Sequence, residues 1–355
     1  MDPLPLVDSH LDLAENTTLF GRDLTLSVAE LRAREARTTR QATVTLPEME
    51  RGGVAVAIAT VTAGFLAADV GADFEPQSAL YRTPEEAEAQ ALAQIDLYED
   101  WQRQGRARLI RSVGDLEHHL ELWRADRKPG LVLLMEGADP IVRVADLPRW
   151  WARGLRLVGL TYGDTVYGTG VRGGSTVFRH GGLSPAGFAL LERMAEIGFT
   201  WDISHLAEEG VWPGLGLGFP RVCASHANAR ALTPTDRHLS DAMIRALAGR
   251  GGVIGLVLYN AFLEPRWRQD KTIPVSLAEH MRRHAEHIAA AGGWGCVGIG
   301  SDLDGGLGLE ESPLEINTIA DLHKAGTAVP AAVRERVLSA NWLDFLRASL
   351  PRSGA

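Results

Sequence analysis

The sequence has few lysines, few cysteines and no long apolar segment, and each shortage excludes a class of protein. No uninterrupted run reaches the about 18 apolar residues that a transmembrane helix needs, and the first residues lack a basic region followed by an apolar core. The last residues include no hydrophobic tail of the kind that precedes a lipid anchor. These absences predict a cytoplasmic protein that has neither a membrane span nor a signal peptide and does not act at a membrane.

The cysteines and the net charge argue against further classes of protein. Cys223 and Cys296 each lie in an apolar, strand-like run, which favours buried free thiols over a disulfide or a cysteine metal site. The net charge of -9 at pH 7 argues against a nucleic-acid surface, because such binding requires clustered lysine and arginine to neutralise phosphates.

Eight short apolar runs alternate with helical patterns along the chain. Continuous runs such as 54–61 are typical of parallel strands that are covered on both sides. Strands are predicted at 5–13, 54–61, 130–136, 155–162, 200–205, 221–226, 252–259 and 296–302. Helices are predicted at 24–43, 83–103, 113–124, 184–197, 240–250, 275–291 and 330–350. The alternation predicts the α/β class and a (β/α)8 TIM barrel, whose reactive groups lie at the C-terminal ends of the strands.

We expect one barrel domain over residues 1–355, with the C-terminal helices at about 330–350 packed on its outside. No linker rich in proline, glycine or serine divides it. On the helix predicted at 113–124, the adjacent residues His118 and His119 point in different directions and are interpreted as solvated surface.

Histidines and carboxylates stand at the ends of five predicted strands. They are His10 and Asp12, Glu136, His205, His226 and Asp302. Each alone has an ordinary interpretation, as a core histidine or a carboxylate that caps the next helix. Together they converge on one barrel mouth, where burying three imidazoles and three carboxylates is costly unless a cation neutralises them.

Six ligands exceed what one tetrahedral zinc requires, so the pattern predicts two metals about 3.5 to 4 Å apart that share a bridging carboxylate and a bridging water. In some barrel hydrolases a carboxylated lysine forms the bridge. Here Lys128, Lys271 and Lys324 are the only lysines, and none of them ends a predicted strand, so Glu136 is the available bridge. Asp302 is the predicted general base, because a carboxylate beside a metal-activated water can carry its proton to the leaving group.

Several strings also resemble the membrane (renal) dipeptidase family of zinc peptidases, in the amidohydrolase superfamily, in order and over nearly the whole chain. They are His10-Leu-Asp12, Glu136-Gly137, Ile203-Ser-His205, Ala224-Ser-His226-Ala-Asn-Ala-Arg230, Arg250-Gly-Gly-Val-Ile-Gly255 and Gly300-Ser-Asp302-Leu-Asp304-Gly305. The resemblance implies a TIM barrel of the metal-dependent hydrolase type, with one Zn2+ on His10, Asp12 and Glu136, and a second on Glu136, His205 and His226. It also implies that Asp302 acts as a proton shuttle and that the enzyme forms a homodimer.

The resemblance extends to the substrate pocket, with one departure. Arg237 is similar to the family arginine that grips the free α-carboxylate of the substrate, and Tyr259 to a tyrosine that lines the pocket. Animal members have a histidine at the end of strand four, where this sequence has Tyr162. A phenol can still donate a hydrogen bond to an oxyanion, but it cannot carry positive charge.

The leading functional hypothesis is a binuclear zinc hydrolase that cleaves the amide bond of a dipeptide or an N-acyl amino acid by metal-activated water. Two alternatives stay open at this point, because a barrel does not fix its substrate. One is a metal-dependent hydrolase of a lactone or phosphoester. The other is a metal-loaded binding protein that lacks peptidase activity because Tyr162 replaces the histidine.

Overall fold

The apolar runs of the sequence form the strands of a parallel barrel. The computed structural model describes residues 4–35, 39–66 and 79–353. The eight barrel strands are β1 (Leu6–Leu11), β2 (Val54–Thr62), β6 (Gly130–Glu136), β7 (Leu155–Gly159), β8 (Thr200–Asp202), β9 (Val222–Cys223), β10 (Ile254–Leu256) and β11 (Val297–Ile299). Three two-residue strands accompany them: β3 (Phe65–Leu66), β4 (Leu80–Tyr81) and β5 (Arg108–Leu109).

The strands close into a ring. Parallel pairing runs in the order β1-β2-β6-β7-β8-β9, and β10 pairs in parallel with β11. The amide of Gly255 donates to the carbonyl of Ala224 (2.9 Å), which links β10 to β9. The amide of Asp302 donates to the carbonyl of His10 (3.3 Å), so the segment after β11 returns to β1. The prediction of a (β/α)8 barrel is therefore confirmed.

Helices follow the strands and begin at residues suited to capping. The α-helices are α1 (Leu13–Thr18), α2 (Val28–Glu35), α3 (Leu46–Gly52), α4 (Pro84–Arg103), α5 (Val113–Asp126), α6 (Leu147–Ala152), α7 (Pro185–Ile197), α8 (Glu208–Gly216), α9 (Asp241–Ala248), α10 (Asn260–Leu263), α11 (Arg282–Gly292) and α12 (Asn341–Ser349). Thr83, Ser112, Ser184 and Ser240 each accept a hydrogen bond from a first-turn amide of the helix that follows, as N-caps do.

Shorter helical segments complete the chain. They are Val144–Asp146, Pro265–Arg268, Leu277–Met281, Trp294–Cys296, Leu309–Glu311, Ile319–Ala328, Ala331–Val333 and Arg336–Ala340. The helix predicted at 24–43 is shorter in the structure, and its residues 36–38 lie outside the described part of the chain. In the described ranges, no helix combines the length and the apolar character needed to cross a membrane.

Two apolar clusters hold the barrel together. The larger one joins the strands to the surrounding helices, and the smaller one contains Val7 of β1, Val56 of β2 and Trp342 of α12. A side chain on Gly298 of β11 would meet the Trp342 indole at 2.2 Å, so this glycine permits α12 to lie directly against the strand. Cys223 and Cys296 are buried free thiols, as predicted.

The interpretation of His119 as a surface residue is wrong. Its side chain is buried, and its Nε2 lies 2.8 Å from the carbonyl of Ala55 in β2. His119 shares a helix face with the buried residues Leu116 and Trp123, at spacings of three and four residues. His118 is exposed, as predicted.

Candidate metal centre

The carboxyl ends of the barrel strands surround a cavity of about 640 Å³. Glu136 is the last residue of β6, and His10 is the last but one of β1. His205, His226 and Asp302 lie in the turns just after β8, β9 and β11. β8, β9 and β11 are thus shorter than predicted, and most of the candidate ligands belong to turns that follow strands. These turns bring the side chains to one point because the strands are parallel and closed into a ring.

Two of these turns have a backbone conformation that side-chain-bearing residues seldom adopt. His205 has φ 63° and Asp302 has φ 60°. Strain of this kind persists where the surrounding structure fixes the residue, and it is concentrated at functional sites. Gly305, just beyond Asp302, cannot be replaced without movement, because a Cβ there would lie 1.9 Å from Oδ1 of Asp302 and 2.7 Å from Oδ2 of Asp12.

Three imidazoles converge on one carboxylate oxygen. Oε1 of Glu136 lies 3.4 Å from Nε2 of His10, 3.1 Å from Nε2 of His205 and 3.4 Å from Nε2 of His226. The Nε2 atoms of His205 and His226 are only 2.9 Å apart. Asp12 is next to the same cluster, with its Oδ1 3.6 Å from Nε2 of His10.

The other nitrogen of each imidazole is held by a fixed partner. Ser225 donates its hydroxyl hydrogen to Oδ2 of Asp202 (2.5 Å) and can therefore only accept from Nδ1 of His10 (3.0 Å) and Nδ1 of His226 (2.9 Å). With Nδ1 protonated in both rings, both Nε2 lone pairs point into the cluster.

His205 is oriented in the same way by the backbone. Its Nδ1 donates to the carbonyl of Val171 (2.8 Å), so its Nε2 lone pair faces the cluster, where Nη2 of Arg237 lies 3.2 Å away. The lone pairs of His205 and His226 then face each other, which is repulsive unless a cation lies between them. Nε2 of His10 is buried without a hydrogen-bond partner in the described structure. Imidazoles held through Nδ1 and open at Nε2 are the usual arrangement of metal-ligating histidines.

The electrostatics of the cluster also favour a cation. Burial lowers the pKa of His10, His205 and His226 well below its usual value, so these imidazoles are neutral and able to act as ligands. Burial, together with neighbouring carboxylates, raises the pKa of Asp12 and of Glu136 to about 8. Carboxylates this close together ionise only when positive charge offsets them, and divalent cations supply that charge.

The residues offer two overlapping groups of potential ligands. His10, Glu136 and His226 form one, and His10, Asp12 and Asp302 form the other. The second group places Asp302 within reach of a metal, next to Asp12. Burial and the charges of Asp12 and Glu136 raise the pKa of Asp302 well above its usual value, whereas Arg237 opposes that shift. This position suits both a ligand and a proton carrier.

The predicted substrate residues lie around the same cavity. Arg237 is buried, and its Nη2 donates to the carbonyl of His226 (2.8 Å) and lies 3.2 Å from Nε2 of His205. The ring centroid of Tyr162 is 4.8 Å from that of His205. Tyr259 precedes α10 and lines the outer part of the cavity.

Sequence reasoning missed several residues that shape the site. Ser225 and Asp202 orient two imidazoles, although the sequence marks them only as neighbours of the histidines. Thr60 in β2 donates to Oδ1 of Asp12 at 2.5 Å. Glu15 in α1 lines the cavity and carries no motif that could have revealed it. Asp304, part of a family-like string, accepts bonds from Thr43 and Val44 and supports the neighbouring loop.

Comparisons with known proteins agree with one another. A model of the membrane dipeptidase family, peptidase family M19, matches residues 1–334. A Klebsiella pneumoniae protein encoded in the region 5' of pqqA is 31% identical over 252 residues, which cover 68% of this chain and 89% of that protein. An uncharacterised dipeptidase of Schizosaccharomyces pombe is 28% identical over 198 residues, covering 55% of this chain and 46% of the relative.

Solved structures share the fold. The structure of a metallopeptidase from Rhodobacter sphaeroides, liganded with a phosphinate mimic of the dipeptide L-Ala-D-Ala, superposes with a TM-score of 0.78. The match covers 98% of this chain and 100% of that one, at 24% sequence identity.

Proposed function

The chain belongs to the membrane dipeptidase family, peptidase family M19, and is a metallo-dipeptidase of that family; we propose that it cleaves its substrates at a binuclear zinc site. The substrate would be a dipeptide or an N-acyl amino acid with a free C-terminal carboxylate. The observation that carries the proposal is the convergence of three Nε2 atoms on Oε1 of Glu136, at 3.1 to 3.4 Å.

The residues present fit two metals. His10, Asp12 and Glu136 would hold one ion, and Glu136, His205 and His226 the other. Nitrogen and carboxylate ligands of this kind suit zinc. When bound, the ions would polarise the amide carbonyl and lower the pKa of a water molecule held between them.

Asp302 would manage the proton of the reaction. It lies beside Asp12, and the strained turn and Gly305 hold its carboxylate in place. As the water oxygen bonds to the carbonyl carbon, Asp302 would accept the proton that the water loses. It would then give that proton to the amide nitrogen as the carbon–nitrogen bond breaks, so that a carboxylate and an amine leave.

Arg237 would bind the C-terminal carboxylate of the substrate. Its guanidinium is buried at the His205 and His226 side of the cluster, and its Nε has no hydrogen-bond partner in the described structure. Tyr162 would donate its phenolic hydrogen to the developing oxyanion, and burial raises its pKa, which keeps it protonated. Tyr259 would line the pocket next to the substrate.

The ligand of the Rhodobacter sphaeroides relative supports a dipeptide substrate. That protein holds a phosphinate mimic of L-Ala-D-Ala, which has the tetrahedral centre and the C-terminal carboxylate of a dipeptide undergoing hydrolysis. The same barrel and a cavity of about 640 Å³ can accommodate a ligand of that size here.

A chelation experiment tests the proposal. The purified chain is treated with a chelator, dialysed, and assayed against a panel of dipeptides and N-acyl amino acids before and after addition of zinc. We expect activity to disappear with the chelator and return with zinc. The His118→Ala variant should behave like the wild type, because His118 is exposed on α5 and is not among the residues that line the cavity. Failure of every metal to restore turnover would contradict the proposal.

A further inference from the structure

Glu15 is a carboxylate in the cavity that the proposed mechanism does not use. It lies in the first turn of α1, the helix that begins directly after Asp12. Its side chain is partly buried and lines the same cavity as Asp12 and Glu136. It belongs to neither of the two groups that could hold a metal ion.

Three neighbouring carboxylates have fixed partners, whereas Glu15, like the proposed proton carrier Asp302, has none among the described residues. Asp12 accepts from Thr60, and Asp202 accepts from Ser225. Asp304 accepts from the Thr43 amide and hydroxyl and lies 3.4 Å from Arg22. Among the residues that the structure describes, no side chain or backbone group bonds to the carboxylate of Glu15. An unpaired carboxylate in a half-buried position is costly unless a ligand pairs with it.

The charge around Glu15 determines which ligand charge is favourable beside it. Glu15 lines the same cavity as the carboxylates of Asp12, Glu136 and Asp302, so negative charge is concentrated around it. An anionic or apolar ligand group would leave this unfavourable charge uncompensated. A cationic group beside Glu15 would compensate it and would gain a charge-assisted hydrogen bond.

Glu15 and Arg237 mark different sides of the ligand cluster. Arg237 contacts His226 and His205, whereas Glu15 lies three residues after Asp12, in the first turn of α1. A dipeptide carries its carboxylate on one side of the scissile amide and its ammonium on the other. A substrate held by Arg237 through its carboxylate, with its amide at the cluster, would therefore direct its N-terminal end towards Asp12 and Glu15.

We propose that Glu15 binds the α-ammonium group of the substrate and makes the enzyme selective for dipeptides with a free N-terminus over N-acyl amino acids. This inference rests on the proposed function, because it assumes that Arg237 holds the carboxylate and that the amide lies at the metals. It narrows the substrate class to one of the two that the ligand cluster alone permits.

The test compares matched substrates in the wild type and in Glu15→Gln, which keeps the shape of the side chain and removes its charge. L-Ala-D-Ala and L-Ala-L-Ala are assayed beside their N-acetyl forms with the zinc-loaded enzyme. We expect the variant to lose about 10- to 100-fold in kcat/KM for the free dipeptides, mainly through a higher KM, because a hydrogen bond to a charged group is lost. The N-acetyl substrates should change by less than about 3-fold.

Glu311→Gln is the matched control. Glu311 is a carboxylate at the outer part of the cavity, 3.8 Å from Lys271, and its loss should leave the ratio between free and acetylated substrates unchanged. An equal loss on both kinds of substrate in Glu15→Gln, or an unchanged ratio, would overturn the role of Glu15 while the dipeptidase activity stands.

A binding measurement keeps the inference testable if turnover fails. Calorimetry compares a phosphinate mimic of L-Ala-D-Ala with its N-acetyl form. The wild type should bind the free-amine form about 10- to 100-fold more tightly than the acetylated one, and Glu15→Gln should bind the two alike. Equal affinities in the wild type would refute the inference. Absence of hydrolysis of any substrate by the zinc-loaded wild type would instead refute the proposed function.

Discussion

Buried histidines occur at the barrel mouth and elsewhere in this molecule, and those at the mouth differ from His284 in α11 in what their second nitrogen contacts. At the barrel mouth, His10, His205 and His226 are held through Nδ1, and their Nε2 atoms converge on Glu136. His284 in α11 is equally buried, but it uses both nitrogens on the backbone. Its Nδ1 accepts from the Ala229 amide at 3.2 Å and its Nε2 lies 3.3 Å from the Leu263 carbonyl.

The difference separates a structural histidine from a ligand. Burial lowers the pKa in both regions, so neither burial nor pKa distinguishes them. A ring whose two nitrogens are paired with the backbone has no lone pair left for a metal. A ring fixed through one nitrogen and open at the other is ready to bind one. The feature that assigns function is therefore an open second nitrogen that converges with carboxylates. His119 and His238 also have one unpaired nitrogen, but neither belongs to a group of described residues that could hold a metal ion.

Two alanine substitutions test this distinction, because they should have opposite effects on bound zinc and on stability. His226→Ala should remove a ligand, so bound zinc falls and activity drops by more than the about 10- to 100-fold that loss of an outer partner costs. The metal-free variant should fold about as stably as the wild type, because the removed ring had an uncompensated lone pair. Metal analysis, turnover and denaturant unfolding of the chelated proteins measure these effects.

His284→Ala should lower the stability of the fold and leave the bound zinc unchanged. The Ala229 amide and the Leu263 carbonyl lose their partner, which costs about 1 to 3 kcal/mol of stability, while the zinc content stays that of the wild type. Reduced zinc in His284→Ala together with full zinc in His226→Ala would show that the distinction is wrong.

Arg237→Ala should have the next largest effect. Loss of a charge-assisted pair with the substrate carboxylate should raise KM by about 10- to 100-fold for dipeptides. Dipeptide amides, which lack that carboxylate, should react equally well with the variant and the wild type. Unchanged dipeptide kinetics in Arg237→Ala would show that Arg237 does not bind the substrate carboxylate.

The smallest effect is a pH dependence of stability. Burial lowers the pKa of His284 from 6.5 to about 4. Between these values the unfolded chain binds a proton that the folded chain does not, so the stability that His284 provides is complete above about pH 6.5 and is lost as the pH falls towards 4. At about 1.4 kcal/mol per pKa unit, the contribution is at most about 3 kcal/mol.

Denaturant unfolding of the chelated protein at pH 7 and pH 5 measures this dependence. The difference in unfolding free energy between the two pH values should be smaller in His284→Asn than in the wild type, because the variant has no imidazole to protonate. The same pH dependence in both proteins would mean that His284 does not have a lowered pKa.

Much of the barrel follows directly from the sequence, because buried parallel strands need continuous apolar runs. The run at β6 was predicted at 130–136 and is observed as Gly130–Glu136. Strand ends were less predictable. The strand predicted at 5–13 includes Asp12, yet β1 ends at Leu11 and Asp12 starts the turn into α1. Local pattern cannot show where pairing with a neighbouring strand stops.

The ligands of the site could be predicted from the sequence, but the groups that orient them could not. Strand-end histidines and carboxylates are visible as residue types in the sequence. The carbonyl of Val171 that orients His205 is a backbone group, so no residue type marks it. Glu15 shows the same limit, because only the path of α1 around the mouth brings it to the cavity. The burial of His119 could have been predicted from the sequence, because Leu116 and Trp123 mark the apolar face of α5.

Crystals of the zinc-loaded protein, with anomalous scattering recorded at the zinc edge, give the most direct test of the metal centre. The account predicts two peaks on either side of Glu136 in the wild type. In Asp12→Ala, the peak near His10 should largely vanish while the one near His205 and His226 remains. A wild-type crystal without an anomalous peak among these residues would contradict the account.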